Sequence, residues 1–282
     1  MSKQKILLGH SPDPDDAFMF YAMKEGLVPM GNYDFEHILQ DIQTLNERAR
    51  REELDVTAVS IHAYAHLTDR YALMSCGASM GDNYGPMLVA RRALEKEELL
   101  KKRIAIPGLL TSAYLAFLLY AGRPAAELDT VVVPFDEIFA ALRDGRAEVG
   151  LLIHEGQLTY AQDGFALCED LGVWWHRETG GLPLPLGGNV VRKALGPQAV
   201  REITDITRES IRYGLEHRAA GVAHALPLGR GLDTGMADRF IGMYVNDLTL
   251  DYGERGRRAV REFLARGTAA GILPEIQPVE FV

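Results

Sequence analysis

Short apolar runs rich in branched residues alternate along the chain with amphipathic stretches that open on capping residues. This alternation predicts a mostly parallel sheet flanked by helices. Ile6 to Gly9 is a first strand, and the turn-forming loop Ser11-Pro-Asp-Pro-Asp-Asp16 follows it. Asp15 or Asp16 is expected to cap a helix running from Ala17 to Met23. Phe35–Leu39 reads as a second strand, and Asp41 opens another capped helix. Val56–Ser60 is a third strand, ending in front of a helical stretch from Ile61 to Leu67, and Tyr71–Ser75 is a fourth. A glycine-rich passage, Gly77–Pro86, separates these elements from the strand-like run Met87–Ala90.

The pattern then restarts. Helix is expected over Leu94–Lys101, strand over Arg103–Ile106, helix over Ala113–Tyr120 and strand over Val131–Val133. Helix Glu137–Leu142, strand Val149–Ile153 and strand Ala166–Cys168 follow. Residues 172–188 read as a long irregular segment, and Asn189–Arg192 resumes as strand. From Pro197 the pattern is helical, with Val200, Ile203, Ile206 and Leu215 near one face of a long helix. Two α/β units result. The simplest arrangement is a discontinuous first domain, 1–88 and 191–282, with a second domain, 89–190, inserted into it. Two lobes joined by two strands would create a cleft that closes by hinge motion. One continuous doubly wound domain is the plain alternative.

Composition narrows the function classes. The chain has 282 residues, 47% hydrophobic and 24% charged, which is ordinary for a globular protein. A net charge of −9, without a basic cluster flanked by aromatics, argues against nucleic acid as a partner. No apolar stretch approaches the length of a membrane span, and the first residues lack the apolar region of a secretory signal, so a cytoplasmic location is expected. Cys76 and Cys168 form no CxxC pair, which makes a zinc site or a disulfide framework unexpected; they read as small core residues. Nothing in the sequence points to a particular oligomeric state.

Candidate chemistry centres on His154, directly after the strand Val149–Ile153. Open α/β sheets bind ligands outside the carboxyl ends of their strands, and imidazole titrates near working pH. His154 is therefore a candidate general base, against the plain reading of a loop histidine, one of eight in the chain. Thr111-Ser112 precedes a helix, where hydroxyl and N–H groups can cap it or face an anion. Ser60 is expected to occupy the equivalent place in the first unit, so that the two helix starts grip a small carboxylate.

Other motifs fail. Gly77-Ala-Ser79-Met-Gly81 matches GxSxG, but loop residues follow it where a nucleophile elbow requires a helix. His154-Glu155 begins like a zincin motif, yet position 158 is Leu. No phosphate loop or dinucleotide fingerprint is present, and Asp13, Asp15 and Asp16 read as turn and cap rather than metal ligands, so neither metal nor cofactor is expected. Trp174-Trp175 reads either as pocket lining or as a packed segment.

Five segments in order resemble one family: residues 11–22, Ala58-Val59-Ser60 with Ala63-Tyr-Ala following, Thr111-Ser-Ala-Tyr114, Leu152-Ile-His-Glu155, and Leu182-Pro-Leu-Pro-Leu-Gly187. The chain resembles, over essentially its whole length, the MqnD family of 1,4-dihydroxy-6-naphthoate synthases of the futalosine route to menaquinone. The resemblance implies a two-lobed α/β fold like the type 2 periplasmic binding proteins. It also implies a lyase that cleaves cyclic dehypoxanthinyl futalosine without metal or nucleotide. By the same resemblance His154 is the catalytic histidine, while Ala58, Val59, Ser60, Thr111 and Ser112 fall on substrate-contacting segments. The alternatives are the chorismate dehydratase of the same pathway, and a cytosolic protein that binds or senses a small carboxylate.

Overall fold

A computed structural model describes residues 3–282. Among the described residues the strands are β1 (Gln4–His10), β2 (Tyr33–Leu39), β3 (Val56–Ser60), β4 (Tyr71–Leu73), β5 (Ser79–Gly81) and β6 (Met87–Ala90). They continue with β7 (Ile104–Ile106), β8 (Thr130–Val132), β9 (Val149–Leu152), β10 (Ala166–Asp170) and β11 (Leu184–Arg192). The chain divides into two compact units. The first comprises the chain up to Met80 with Gly187–Arg257 and Ile276–Val282; the second comprises Gly81–Leu186 and Arg258–Glu275.

In the first unit the sheet order is β2-β1-β3-β11-β4, with β5 on β11. β1 pairs in parallel with β2 along its whole length, but with β3 only at Leu8↔Val56 and Gly9↔Thr57. All five residues of β3 are buried. That explains an apolar run without alternation: a strand covered on both faces needs apolar side chains on both. Phe18, Met19, Ile203, Ile211 and Ile241 from the surrounding helices pack on Ile6, Leu8 and Val56 of the sheet.

In the second unit the order is β10-β6-β9-β7-β8. β7 is parallel to β8 and β9, whereas β6 runs antiparallel to both its neighbours, β9 and β10. The helix Ser112–Ala121 buries nine of its ten residues, as expected for a helix apolar all round. Both sheets thus place the first parallel strand between the second and the third. The crevice where the order reverses, between first and third strands at their carboxyl ends, is where such sheets bind ligands.

Three expectations are corrected. The segment taken as irregular holds the helix Leu171–Glu178 and most of β11. Asp170 caps that helix, its Oδ1 accepting from the N–H groups of Gly172 at 2.8 Å and Val173 at 3.1 Å. Gly172 is needed for a different reason, because a Cβ there would lie 1.9 Å from the Tyr84 carbonyl oxygen. Pro185 interrupts no bond to β3, because pairing of β11 with β3 begins only at Gly187. Second, the helix start after β1 is capped at Asp13, with Pro14 in the first turn and no side-chain cap bond, instead of at Asp15 or Asp16. Third, the chain passes between the units at 80/81, 186/187, 257/258 and 275/276 rather than at 88/89 and 190/191 alone, so that Arg258–Glu275, expected in the first domain, belongs to the second unit. An amphipathic helix shows that one face is covered but carries no address for the cover.

Candidate active site

The first unit carries Ala58, Val59 and Ser60; the second carries Thr111, Ser112 and His154. In the first unit β1 and β3 part after Gly9↔Thr57, so Ala58–Ser60 continue beyond the ladder to β1. On the other side they remain paired with Gly187–Asn189 of β11. Ala58 and Val59 are buried, Val59 completely, so its side chain belongs to the core. Ser60 is 4% exposed and is held twice by Asn46: its N–H donates to Oδ1 at 2.9 Å, and Nδ2 donates to its Oγ at 3.1 Å. The hydroxyl caps no helix, and the helix after it is a single turn, Ile61–Tyr64.

The loop after β1 brings further polar groups to the same edge. Ser11 Oγ donates to Asp13 Oδ2 at 2.7 Å, and Arg230 pairs with Asp13 Oδ1 at 2.7 Å. The Ser11 N–H donates to Asp16 Oδ2 at 2.6 Å, and Ser79 Oγ donates to Asp15 Oδ2 at 3.4 Å. Next to them His10 and His37 share a hydrogen bond of 3.1 Å between ring nitrogens, and burial lowers His10 to about 4 and His37 to about 3, so both are neutral near pH 7. The Asp16 carboxyl is pushed up to about 7, first by burial and further by the Asp13 charge, against the pull of the Ser11 N–H.

The raised Asp16 value has a measurable consequence. An unfolded Asp ionises near 4, so between there and about 7 the folded chain holds a proton that the unfolded chain has released. The associated stability is fully present below the unfolded value and is lost as pH rises through 7. Asp16→Asn keeps an oxygen for the Ser11 N–H and removes the ionisation. Its thermal midpoint should exceed that of the wild type by more at pH 8.5 than at pH 5. A difference that does not grow with pH would mean that Asp16 ionises normally.

In the second unit Thr111 and His154 rise from the carboxyl ends of the neighbouring parallel strands β7 and β9. The hydroxyls expected to grip a ligand are engaged locally. Thr111 Oγ1 donates to the Gly108 carbonyl at 2.8 Å and accepts from the Tyr114 N–H at 3.2 Å, capping the helix. Ser112 Oγ donates to the Leu186 carbonyl at 2.5 Å. The start of this ten-residue helix also carries first-turn N–H groups and the positive end of the helix dipole.

His154 is half-buried and lies 4.5 Å, centroid to centroid, from the ring of Phe135, which follows β8. Its backbone is left-handed, with φ of 55°, and its carbonyl accepts from the Gln157 N–H at 3.2 Å. Left-handed backbone is uncommon for a residue with a Cβ; Glu52, Asn83 and Arg230 share it. From sequence Ser60 is the equivalent of Thr111; by strand order Ser60 ends, and His154 follows, the third strand of its own sheet, and the segment of the first unit topologically equivalent to Thr111 is the Ser11–Asp16 loop after β1. Sequence reasoning also passed over Asn46 and Phe135. Asn46 had a signal, a polar residue inside the apolar stripe Ile42, Leu45, Ala49. Among the described residues no group of three or more His, Cys, Asp or Glu is placed to hold a metal ion.

A family model described as menaquinone biosynthesis matches residues 6–269. The chain belongs to this family. Within it, the chain is 36% identical over 280 residues to a 1,4-dihydroxy-6-naphthoate synthase of Streptomyces coelicolor, covering 99% of this chain and 98% of that one. It is 37% identical over 269 residues to a protein of the same name from Thermus thermophilus, covering 95% and 96%. A crystal structure of an Archaeoglobus fulgidus protein superposes with a TM-score of 0.89 at 42% identity, covering 95% of this chain and 98% of that one. The menaquinone-family fold extends further. The alkanesulfonate-binding protein SsuA of Xanthomonas axonopodis pv. citri gives a TM-score of 0.70 at 14% identity, covering 99% and 97%. The α/β fold is thus that of the periplasmic binding proteins. Among the described residues no helix is long and apolar enough to cross a membrane.

Proposed function

We propose that this member of the menaquinone biosynthesis family is a 1,4-dihydroxy-6-naphthoate synthase. It would act as a carbon–carbon lyase on cyclic dehypoxanthinyl futalosine, in the cytoplasm, with His154 as general base. The observation that carries the reading is the position of His154: an imidazole on left-handed backbone at the carboxyl end of β9, beside the strand that feeds the N-terminus of Ser112–Ala121. The near full-length similarity to two proteins bearing that enzyme name supports 1,4-dihydroxy-6-naphthoate as the product.

Release of an aromatic naphthoate from a spirocyclic precursor needs a proton removed and a carbon–carbon bond broken, and aromatisation supplies driving force. A neutral imidazole can accept that proton near pH 7. The first-turn N–H groups of Ser112–Ala121 suit a carboxylate, and holding it would fix the reacting carbon relative to the imidazole. Purified protein incubated with cyclic dehypoxanthinyl futalosine should form 1,4-dihydroxy-6-naphthoate, detected by chromatography. Turnover of chorismate instead would transfer the protein to the dehydratase class. Tight binding without conversion of either compound would make it a binding or sensing protein.

A further inference from the structure

We propose that Asn46 is a positioning residue that fixes the Ser60 hydroxyl as a hydrogen-bond donor toward an acceptor oxygen of the substrate. The inference rests on the reading of Ser60 as a substrate contact and extends it to the helix behind it. Asn46 lies within the helix Ile42–Arg50, which Asp41 caps by accepting from the Thr44 N–H at 3.0 Å. Its neighbours on the covered face, Leu45 and Ala49, are apolar and fully buried, and Asn46 itself has no exposed surface. Asparagine is a poor helix former, and a buried amide is costly unless it is hydrogen-bonded. A residue that only packed the helix on β3 would be apolar.

The orientation of this amide follows from its partners. The backbone N–H of Ser60 can only donate, so the amide atom facing it at 2.9 Å must be the oxygen. The NH2 group is thereby turned to Ser60 Oγ at 3.1 Å, and it can only donate. Ser60 Oγ therefore accepts from Asn46, and its own proton points away from the amide. Ser60 ends β3, past the last pair with β1, so the O–H is held at the carboxyl edge of the sheet as a donor. Asn46 thus sets the polarity of a hydroxyl whose location is set by the strand. The ligand chemistry that matches is a carboxylate or carbonyl oxygen.

Asn46→Asp, close to isosteric, separates this role from a purely structural one. One carboxylate oxygen still accepts from the Ser60 N–H, but the other now accepts from the Ser60 O–H and reverses it. With cyclic dehypoxanthinyl futalosine as substrate, KM should rise about tenfold or more while kcat changes much less, the pattern of lost uniform binding. Ser60→Ala should raise KM similarly, and Asn46→Asp should add little in the Ser60→Ala background, because the two act through one hydroxyl. Asn46→Ala deletes both bonds without reversing either, so it should raise KM less than Asn46→Asp, whatever the order of the thermal midpoints.

A KM for Asn46→Asp within twofold of the wild type would overturn the proposal, as would independent addition of its effect to that of Ser60→Ala. If Asn46→Asp does not fold, an unchanged KM in Ser60→Ala overturns it alone, and a raised KM in both Ser60→Ala and Asn46→Ala supports it. A wild-type protein that leaves the substrate unconverted would refute the proposed function itself, a result distinct from an active enzyme indifferent to residue 46.

Discussion

His154→Asn should lose turnover of cyclic dehypoxanthinyl futalosine by a factor on the order of 10² to 10⁴, the usual contribution of a positioned general base. The fold should be unaffected. Asparagine is the test residue because the backbone at position 154 is left-handed, with φ of 55°, and Asn enters that region more readily than other residues with a Cβ. It preserves the turn after β9 and offers no group that accepts a proton near neutral pH. His154→Gly carries the same argument further. Glycine meets no steric penalty at this φ, so the variant should unfold at an equal or higher temperature than the wild type while being just as inactive. Gain of stability with loss of turnover is what a residue kept for chemistry at the expense of its backbone predicts. Steady-state kinetics and thermal unfolding of both variants test this. Turnover within tenfold of the wild type in folded His154→Asn would remove the imidazole from the mechanism.

Local elements were legible where side-chain pattern alone decides them. Val56–Ser60 and Met87–Ala90 are strands with the bounds read from sequence, because each is a branched apolar run ended by residues that change direction. The same pattern placed His154 directly after the strand Val149–Ile153; β9 ends at Leu152, one residue earlier than expected, which leaves His154 two residues beyond it. What could not be read was the order of strands within each sheet, since periodicity reports which faces are covered and not by what. That is why Ser60 reads as the equivalent of Thr111, whereas in strand order its equivalent is His154, each standing at the end of the third strand of its own sheet. The helix Leu171–Glu178 lies in a stretch read as irregular, where Gly180-Gly181 and the prolines Pro183 and Pro185 follow closely; Asp170, which caps it, is the signal that was passed over. The hydroxyls of Thr111 and Ser112 were correctly sited at a helix start, but their partners, Gly108 and Leu186, are set by tertiary contacts.

Trp175→Ala should cost the second unit about 3–5 kcal/mol, the range for deleting a large buried aromatic side chain. Trp175 is fully buried, its Nε1–H donates to the Pro183 carbonyl at 3.0 Å, and its ring meets that of Phe263 edge-on at 5.3 Å. Arg266 lies over it at 5.1 Å. Phe263 and Arg266 belong to the segment Arg258–Glu275, so this tryptophan is one of the side chains through which a segment distant in sequence joins the second unit. Trp174 is only half-buried, edge-on to Tyr120 at 5.6 Å, and its replacement by Ala should cost much less. Urea unfolding of the two variants, with hydrogen exchange across residues 258–275, tests the assignment; a loss below about 1 kcal/mol for Trp175→Ala would contradict it. The damage should also reach the candidate site. Pro183 is three residues before Leu186, whose carbonyl receives the Ser112 hydroxyl at the start of the helix Ser112–Ala121. Releasing Pro183 loosens that anchor, so folded Trp175→Ala should show a raised KM, and Trp175→Phe, which keeps the ring contact but not the donor, should recover stability more fully than KM. A KM restored in step with stability would mean that the Nε1–H bond to Pro183 has no part in holding the helix start.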